Sequence, residues 1–353
     1  MLYVLGMAAA LLMAGCQPPT SLAPIATAIP QETSSPTLDW YSIYFTNPAA
    51  TDAGKYRGGP DTHLAAAIDQ AQVSVDVAIY DLNLWSIRDA LVAAQQRGVN
   101  VRFVTESDNL DEPEIHDLQA AGIPVLGDRR EGLMHNKFVV IDEQEVWTGS
   151  MNYTTTDGYL NDNHLARLRS DRLAEIYTSE FNEMFVDDRF GPDAGAALSN
   201  PGFRVNQTEV EVYFSPEDGT AQRLAELISG ARSSVVFLAF SFTSDLLAEA
   251  MLERASQGVV VMGVFEEAQV TSNIGSQYAP FLERGIDVRL DSNPRNMHHK
   301  VIVIDEQIVV IGSYNFSSSA ERRNDENTVI LHNPHIAALF VQEFQRIFAQ
   351  AHR

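Results

Sequence analysis

The chain has 353 residues, of which 45% are apolar and 20% charged, and this balance is typical of a folded globular protein rather than a largely disordered one. That length allows two domains of ordinary size. The formal net charge of −23 disfavours non-specific binding to long polyanions such as nucleic acids, although salt screening still permits a local positive pocket.

Residues 1–16 have the features of a signal peptide. The apolar run from Leu2 to Ala14 is too short to span a bilayer. Its last two residues are the first two of the tetrapeptide Met13-Ala14-Gly15-Cys16. That tetrapeptide resembles the lipobox of bacterial lipoproteins, in which the cysteine is lipidated and becomes the mature N-terminus. The resemblance implies a membrane anchor at Cys16 and a location in the bacterial cell envelope, facing outside the cytoplasm. The alternatives are an ordinary cleaved signal and a frayed apolar start.

Residues 17–39 are rich in Pro, Ser, Thr and Ala and carry almost no charge. Such a composition cannot build a packed core, and it predicts a flexible tether.

From residue 40 onward, one unit is repeated. The clearest matches lie in the second part of each copy and share a constant offset of 163 positions. A repeat this long indicates a duplicated domain rather than a solenoid. We therefore expect a first domain over residues 40–200 and a second over 201–353. The matched segments are Tyr44-Phe45-Thr46 with Tyr213-Phe214-Ser215, Val75–Tyr80 with Val235–Phe240, Met134–Lys137 with Met297–Lys300, and Gly149–Asn152 with Gly312–Asn315.

Each copy predicts an α/β fold. Phe138–Ile141 and Val301–Ile304 are apolar on both faces, as central strands covered by helices should be. Closing helices are expected near Asp171–Met184 and His335–Gln350. We predict two similar α/β layered domains, with their sheets packed about a pseudo-two-fold axis that brings equivalent residues face to face.

A polar motif occurs once in each copy, with the spacing H-x-K-x4-D followed by Gly-Ser-x-Asn. Residues two apart on a strand share a face, so the His and Lys should project together while the Asp points the other way. Each copy offers an imidazole, an ammonium, a hydroxyl and an amide, and two such sets would surround a phosphate. The residues are His135, Lys137, Asp142, Ser150 and Asn152 in the first copy and His298, Lys300, Asp305, Ser313 and Asn315 in the second.

Lysine usage supports a chemical role for this motif. Only three of the 24 cationic residues are lysines, and two of the three, Lys137 and Lys300, occupy the equivalent motif positions. A compact ammonium fits beside a histidine and a phosphate where a planar guanidinium does not.

The paired motifs resemble those of the phospholipase D superfamily, and the likeness covers nearly all of residues 40–350. The resemblance implies a metal-independent phosphodiesterase without a cofactor. One motif histidine attacks phosphorus and forms a phosphohistidine, while the other protonates the leaving alcohol and then activates water. By similarity His135 is the nucleophile and His298 the general acid, a choice that the sequence does not itself decide.

The resemblance also implies roles for the neighbouring residues. Lys137, Lys300, Asn152 and Asn315 would hold the non-bridging oxygens, Ser150 and Ser313 would assist, and the motif aspartates Asp142 and Asp305 would be structural. Glu326 stands where the family carries a glutamate that orients a histidine, and Asn163 takes that position in the first copy. If one imidazole is supported by charge and the other only by a hydrogen bond, the two should differ in basicity.

The favoured function is hydrolysis of a phospholipid, with release of the head-group alcohol, at the surface of the envelope. An endonuclease of the same superfamily is the first alternative, so a nucleic acid substrate stays open, as does transfer to another alcohol. A phosphate-binding surface lipoprotein without catalytic activity is an alternative of another class. One chain supplies both halves of the site, so we expect a monomer.

Overall fold

Two sheets with the same strand order are formed, one by residues 41–169 and the other by residues 202–332. The computed structural model describes residues 40–195, 197–198 and 200–353, so the predicted signal peptide, Cys16 and the tether lie outside the described residues. None of the helices among the described residues combines the length and the apolar character that a membrane span requires.

The first sheet has seven strands in the order β1-β7-β6-β5-β2-β3-β4. Only the β2–β3–β4 part is parallel. The elements of this half are β1 (Tyr41–Phe45), α1 (Asp61–Gln70), β2 (Ser74–Ile79), α2 (Trp85–Gln96), β3 (Asn100–Thr105), α3 (Pro113–Ala120), β4 (Val125–Gly127), β5 (Lys137–Ile141), β6 (Glu145–Gly149), α4 (Thr155–Tyr159), β7 (His164–Arg169) and α5 (Asp171–Phe185), with short 3-10 turns at Ala53–Lys55, Ser107–Asn109 and Gly191–Asp193.

The second sheet has eight strands in the order β12-β11-β10-β13-β14-β15-β9-β8. Apart from the extra edge strand β8, each strand has a counterpart in the first sheet. The elements of this half are β8 (Gly202–Val205), β9 (Thr208–Ser215), α6 (Thr220–Ser229), β10 (Ser234–Ala239), α7 (Asp245–Ser256), β11 (Val260–Phe265), α8 (Glu267–Ser272), α9 (Tyr278–Glu283), β12 (Asp287–Leu290), β13 (Lys300–Ile304), β14 (Ile308–Gly312), α10 (Ser318–Arg322), β15 (Glu326–His332) and α11 (Pro334–Gln350).

The central strands are buried on both faces, as predicted. In β5, Phe138 and Val140 face an apolar cluster shared by the two halves, whereas Val139 and Ile141 face the outer cluster of the first half. This alternation follows the two-residue period of a strand. The shared cluster also contains apolar residues of α5 and α11, so both helices pack in the layer between the two sheets.

The two closing helices begin at strong local signals. Ser170 caps α5 by accepting a hydrogen bond from the Leu173 N–H, and Asn333 caps α11 by accepting from the His335 and Ile336 N–H groups. Caps of this type contribute about 1 kcal/mol each. The structure confirms both predicted helices, with ends that agree to one residue, and confirms the expected fold of two sheets covered by helices.

Candidate active site

The two halves meet at the segments that precede the motif histidines. The backbone N–H of His135 donates to the carbonyl oxygen of Asp325 at 3.0 Å, and the backbone N–H of His298 donates to that of Asp162 at 2.9 Å. Asp162 and Asp325 are themselves 163 positions apart. The same contact is therefore made twice in opposite directions, as a pseudo-two-fold axis requires.

Each motif histidine is oriented by the other half of the chain. The Nδ1 atom of His135 lies 2.8 Å from a carboxylate oxygen of Glu326, and Nδ1 of His298 lies 3.0 Å from the amide oxygen of Asn163. Both partners are acceptors, so Nδ1 carries the proton in each ring and Nε2 of the neutral imidazole keeps its lone pair. This is the form needed for attack on phosphorus or for removal of a proton from water.

Each motif lysine lies beside its own histidine. The Lys137 ammonium donates to the His135 carbonyl oxygen at 2.9 Å, and Lys300 donates to the His298 carbonyl oxygen at the same distance. The aromatic rings of Tyr80 and Phe240 lie 5.2 and 4.6 Å from the respective ammonium nitrogens. Since an ammonium has three N–H groups, donors remain for an anion.

The prediction that the motif His and Lys lie on one strand is wrong for the histidine. The strand β5 begins at Lys137, so His135 lies in the preceding loop, where its backbone N–H bonds across to the other half. The side chains of His135 and Lys137 nevertheless lie on the same side, since both contact the ring of Tyr80. The His135 ring packs against it with 5.3 Å between ring centroids. His298 packs against Phe240 in the same way.

The four motif groups influence one another electrostatically. Burial lowers the pKa of His135, while Glu326 opposes that effect. Burial, followed by the charges of Lys300 and Lys137, holds the pKa of His298 well below its usual value. Burial also lowers the pKa of Lys137 to about 8. Burial, followed by repulsion from Lys137, lowers the pKa of Lys300 well below its usual value. Groups that disfavour one another's positive charge favour a bound anion.

The motif serines act on the residues that hold the histidines. Ser313 Oγ donates to the Glu326 carboxylate at 2.6 Å, and Ser150 Oγ donates to the Asn163 amide oxygen at 2.8 Å. Each serine thus fixes the acceptor that orients the histidine of the opposite half.

The motif asparagines differ between the halves. The Asn152 side-chain nitrogen donates to Asp157 at 2.6 Å, so this amide is partly committed within the protein. The side-chain oxygens of both Asn152 and Asn315 are buried and have no hydrogen-bond partner among the described residues. Unpartnered buried polar atoms are uncommon and are typical of ligand sites.

The motif aspartates lie away from the histidines. Asp142 and Asp305 each start a tight turn in the left-handed region, with φ of 53° and 54°. The Asp142 carboxylate accepts from the backbone N–H groups of residues 72–74, and Asp305 accepts from those of residues 232–234. Both therefore anchor the segment that leads into the first parallel strand of their half.

Several residues at the site were missed by sequence reasoning. Asp157 is 4% exposed and bonds to two residues already assigned to the site, Asn152 and Asn163. Glu106 and Glu266 accept the backbone N–H of the residue before each motif histidine, at 2.9 and 2.6 Å. Burial, with Asp128 beside it, raises the pKa of Glu106 to about 7. For Asp157 the sequence did offer a signal. A comparison of the two halves at the offset of 163 positions pairs it with Ala320, so the carboxylate is present in one half and absent from the other.

Among the described residues, no group of three or more His, Cys, Asp or Glu side chains is arranged to hold a metal ion.

Comparison with known families decides what the paired motifs belong to. The family model described as "Cardiolipin synthase, PLD-like domain" matches this chain twice, over residues 64–185 and 224–348. The chain belongs to the phospholipase D-like family. It is thus a phosphodiesterase of the phospholipase D superfamily with two copies of the family's domain, as the internal repeat predicted.

Relatives of this phospholipase D-like chain match only part of it. A phospholipase D of Rickettsia bellii is 28% identical over 142 residues, which is 40% of this chain and 70% of the relative. The mitochondrial cardiolipin hydrolase of Mus musculus is 30% identical over 155 residues, which is 44% of this chain and 70% of the relative.

A solved structure of phosphatidylserine synthase from Haemophilus influenzae matches across both halves. It covers 87% of this chain and 86% of its own, with a TM-score of 0.65 and 14% identity. At this identity the likeness supports the two-domain phospholipase D-like fold and nothing further.

Proposed function

We propose that this chain is a metal-independent phosphodiesterase that acts through a phosphohistidine and hydrolyses phospholipids at the surface of the cell envelope. The observation that carries the proposal is the reciprocal geometry of the two motifs. Each half contributes a buried histidine and lysine, and each histidine is oriented by an acceptor from the other half.

The chemistry proceeds in two displacements at phosphorus. In the first, Nε2 of neutral His135 forms a bond to phosphorus, the bond to the head-group alcohol breaks, and His298, which enters this step as an imidazolium, donates its Nε2 proton to the leaving oxygen. In the second, His298 takes a proton from water, the water oxygen attacks phosphorus, and the phosphorus–nitrogen bond breaks. Lys137, Lys300, Asn152 and Asn315 hold the non-bridging oxygens and stabilise the five-coordinate phosphorus. Lys137 and Lys300 supply the positive charge that a metal ion provides in other phosphodiesterases.

Three observations favour a lipid as the substrate. Relatives are named phospholipase D and cardiolipin hydrolase. The lipobox-like sequence at Cys16 would place the domains beside a membrane, and the net charge of −23 repels a long polyanion.

The deciding experiment is one activity panel with purified protein in the presence of a chelator. Vesicles of phosphatidylcholine or cardiolipin are compared with single-stranded DNA and RNA, and the released alcohol or cleaved strand is quantified. Release from vesicles supports the proposal, whereas cleavage of nucleic acid alone identifies an endonuclease. Loss of all activity in chelator contradicts the mechanism.

A trapping experiment separates an enzyme from a protein that only binds phosphate groups. The His298→Asn variant should slow breakdown of the intermediate, so acid-free denaturation and intact mass after incubation with phospholipid should detect a phosphatidyl group on His135. His135→Asn should show none. His335→Asn is the matched control, because His335 is exposed and should leave turnover unchanged.

The proposed anchor has its own test. The full chain expressed in a bacterium should incorporate labelled fatty acid and enter the detergent phase on phase separation, whereas Cys16→Ser should do neither. Equal behaviour of the two proteins rules out lipidation at Cys16.

A further inference from the structure

One carboxylate near the motif histidines occupies different positions in the two half-sites. At the constant offset of 163, Glu326 in the second half corresponds to Asn163 in the first, while Ala320 in the second half corresponds to Asp157 in the first. One half therefore has a carboxylate in direct contact with a histidine. The other half has an amide at that point and a carboxylate six residues earlier.

Asp157 is placed to act on the amide that holds His298. One carboxylate oxygen accepts from the side-chain nitrogens of Asn163 at 2.9 Å and Asn161 at 2.6 Å, and the other accepts from Asn152. Asp157 is 4% exposed, and the basic side chain within 4 Å of it, among the described residues, is His298, whose Nδ1 lies 3.5 Å away and which is charged only when protonated; Lys137 and Lys300 interact with this carboxylate at longer range. A carboxylate buried without a Lys or Arg partner is costly and is retained where it serves a function.

The contacts of Asn163 explain why its orientation matters. Its nitrogen donates to the Asp157 carboxylate at 2.9 Å and to the Asp157 backbone carbonyl oxygen at 3.1 Å, and these two bonds turn its oxygen toward His298 Nδ1 at 3.0 Å and Ser150 Oγ at 2.8 Å. An amide can present either its oxygen or its nitrogen to an imidazole, whereas a carboxylate can only accept. Asp157 therefore determines which end of Asn163 faces the ring, and hence which ring nitrogen carries the proton.

We infer that Asp157 is a positioning residue, and that His298, Asn163 and Asp157 form a relay that replaces the direct His135–Glu326 contact of the other half-site. Through Asn163 the relay holds the Nδ1–H tautomer of His298, and through space the carboxylate stabilises the protonated ring. This deepens the proposed function and rests on it, because a general acid must bear a proton when the leaving alcohol departs.

The charges around His298 make that stabilisation necessary. Burial and the neighbouring positive groups all lower its pKa, and Asp157 is the carboxylate at the ring itself. The groups that face His298 are Lys300, Lys137, His135, His299 and Asp157. An opposite charge within about 4–6 Å favours the charged form of a group, so removing this carboxylate should lower the pKa of His298.

The first arm of the test needs no substrate. Histidine labelled with 15N in the full chain reports the tautomer and pKa of His298 by NMR, in the wild type and in Asp157→Asn. We expect a lower pKa for His298 and a mixture of tautomers in the variant. An unchanged titration and tautomer overturn the relay, whether or not the protein proves to be a phosphodiesterase.

The second arm moves the charge instead of removing it. In the double variant Asp157→Ala with Asn163→Glu, the first half receives the residues that the second half carries at these positions, and it should recover the His298 titration. With a phosphodiester substrate, Asp157→Asn should lower kcat at least about tenfold and move the alkaline limb of the pH–rate profile to lower pH, and the double variant should restore both. A folded double variant that recovers neither property contradicts the relay and leaves a structural role for Asp157.

The matched control makes the reverse exchange in the other half, with Ala320→Asp and Glu326→Asn. It should retain a folded site with the His135 titration close to that of the wild type. If Asp157→Asn fails to fold, the double variant still decides, because it too lacks the carboxylate at position 157. If the wild type shows no turnover while the NMR arm gives the expected shift, the proposed function fails and the relay stands.

Discussion

Replacement of Glu326 by Gln tests the contact on which the orientation of His135 depends. Glu326 is fully buried and accepts hydrogen bonds from His135 Nδ1 at 2.8 Å, Ser313 Oγ at 2.6 Å and Asn324 Nδ2 at 3.3 Å. Gln has the same shape but only one acceptor oxygen. The bond to Asn324 is lost if the amide oxygen faces His135, at a cost of about 1 kcal/mol.

The effect on turnover should be larger than the effect on stability. If the amide oxygen faces His135, the ring stays oriented but loses the charge that stabilises its cationic phosphorylated form, and kcat should fall about 100- to 1000-fold. If the amide nitrogen faces the ring, the proton moves to Nε2 and blocks attack, and the loss should approach about 10⁴-fold. In both cases the pKa of His135 falls, since Glu326 raises it. The acid limb of kcat/KM should therefore move to lower pH.

The assay follows hydrolysis of bis(p-nitrophenyl) phosphate in chelator over the pH range in which the wild type is folded, with circular dichroism of each variant. Glu211→Gln is the matched control, because Glu211 is a buried carboxylate of the same sheet that bonds to Arg223 and His332 instead of motif residues. It should lower stability and leave the pH profile in place. If folded Glu326→Gln keeps the wild-type kcat and an unmoved acid limb, Glu326 does not have the assigned role of orienting His135 and raising its pKa.

Three further substitutions separate chemistry from structure. Lys300→Arg should fold but lose at least about 100-fold in kcat, because a guanidinium is wider than the buried ammonium that lies 2.9 Å from the His298 carbonyl; kinetics and circular dichroism check both parts. Asp305→Asn should lower the free energy of unfolding by about 1 kcal/mol and leave kcat unchanged, since its carboxylate anchors backbone N–H groups away from the histidines. Burial raises the pKa of Asp305, but the hydrogen bonds to its carboxylate lower the pKa overall. The stabilisation by Asp305 is therefore present above the unfolded pKa of 3.8 and is lost as pH falls through the lower folded value. Urea denaturation at neutral and acid pH measures this loss of stability. Gly312→Ala should cost about 1–3 kcal/mol, because at φ +142° its Cβ would lie 2.2 Å from the Asn327 carbonyl oxygen, whereas Gly54→Ala meets nothing within 4 Å and should leave the thermal midpoint unchanged.

Much of the fold could be predicted because its signals are local. The strands Lys137–Ile141 and Lys300–Ile304 are continuous apolar runs, and the closing helices have both an apolar stripe and a capping residue. The repeat added the long-range information, since two copies of one unit at a fixed offset predict equivalent sheets and an axis between them. The motif residues followed from the same repeat.

The pairing across the axis could not be predicted from spacing. Sequence alone placed Glu326 and Asn163 near the histidines, but which histidine each one holds depends on how the halves dock. Docking brings β15 beside the first motif and β7 beside the second, so each acceptor serves the opposite half. The strand period also failed at His135, because its backbone N–H bonds to Asp325 across the axis instead of continuing β5.

The proposed mechanism gives the two motif histidines different tasks, and the residues at the axis show where the two halves differ. His164 of the first half and His299 of the second stack in the core with their Nδ1 atoms 3.0 Å apart. At the offset of 163 their equivalents are Asn327 and Asn136, which are joined by an amide hydrogen bond of 3.0 Å. The residues have changed and the hydrogen bond has been kept. The same holds for the histidine acceptors, where a carboxylate in one half is matched by an amide backed by Asp157 in the other. If one histidine attacks phosphorus and the other acts as the general acid, as proposed, the two need different basicities but the same orientation. Substitutions that preserve a hydrogen bond while moving a charge are then the ones that a fixed-offset comparison should single out as functional.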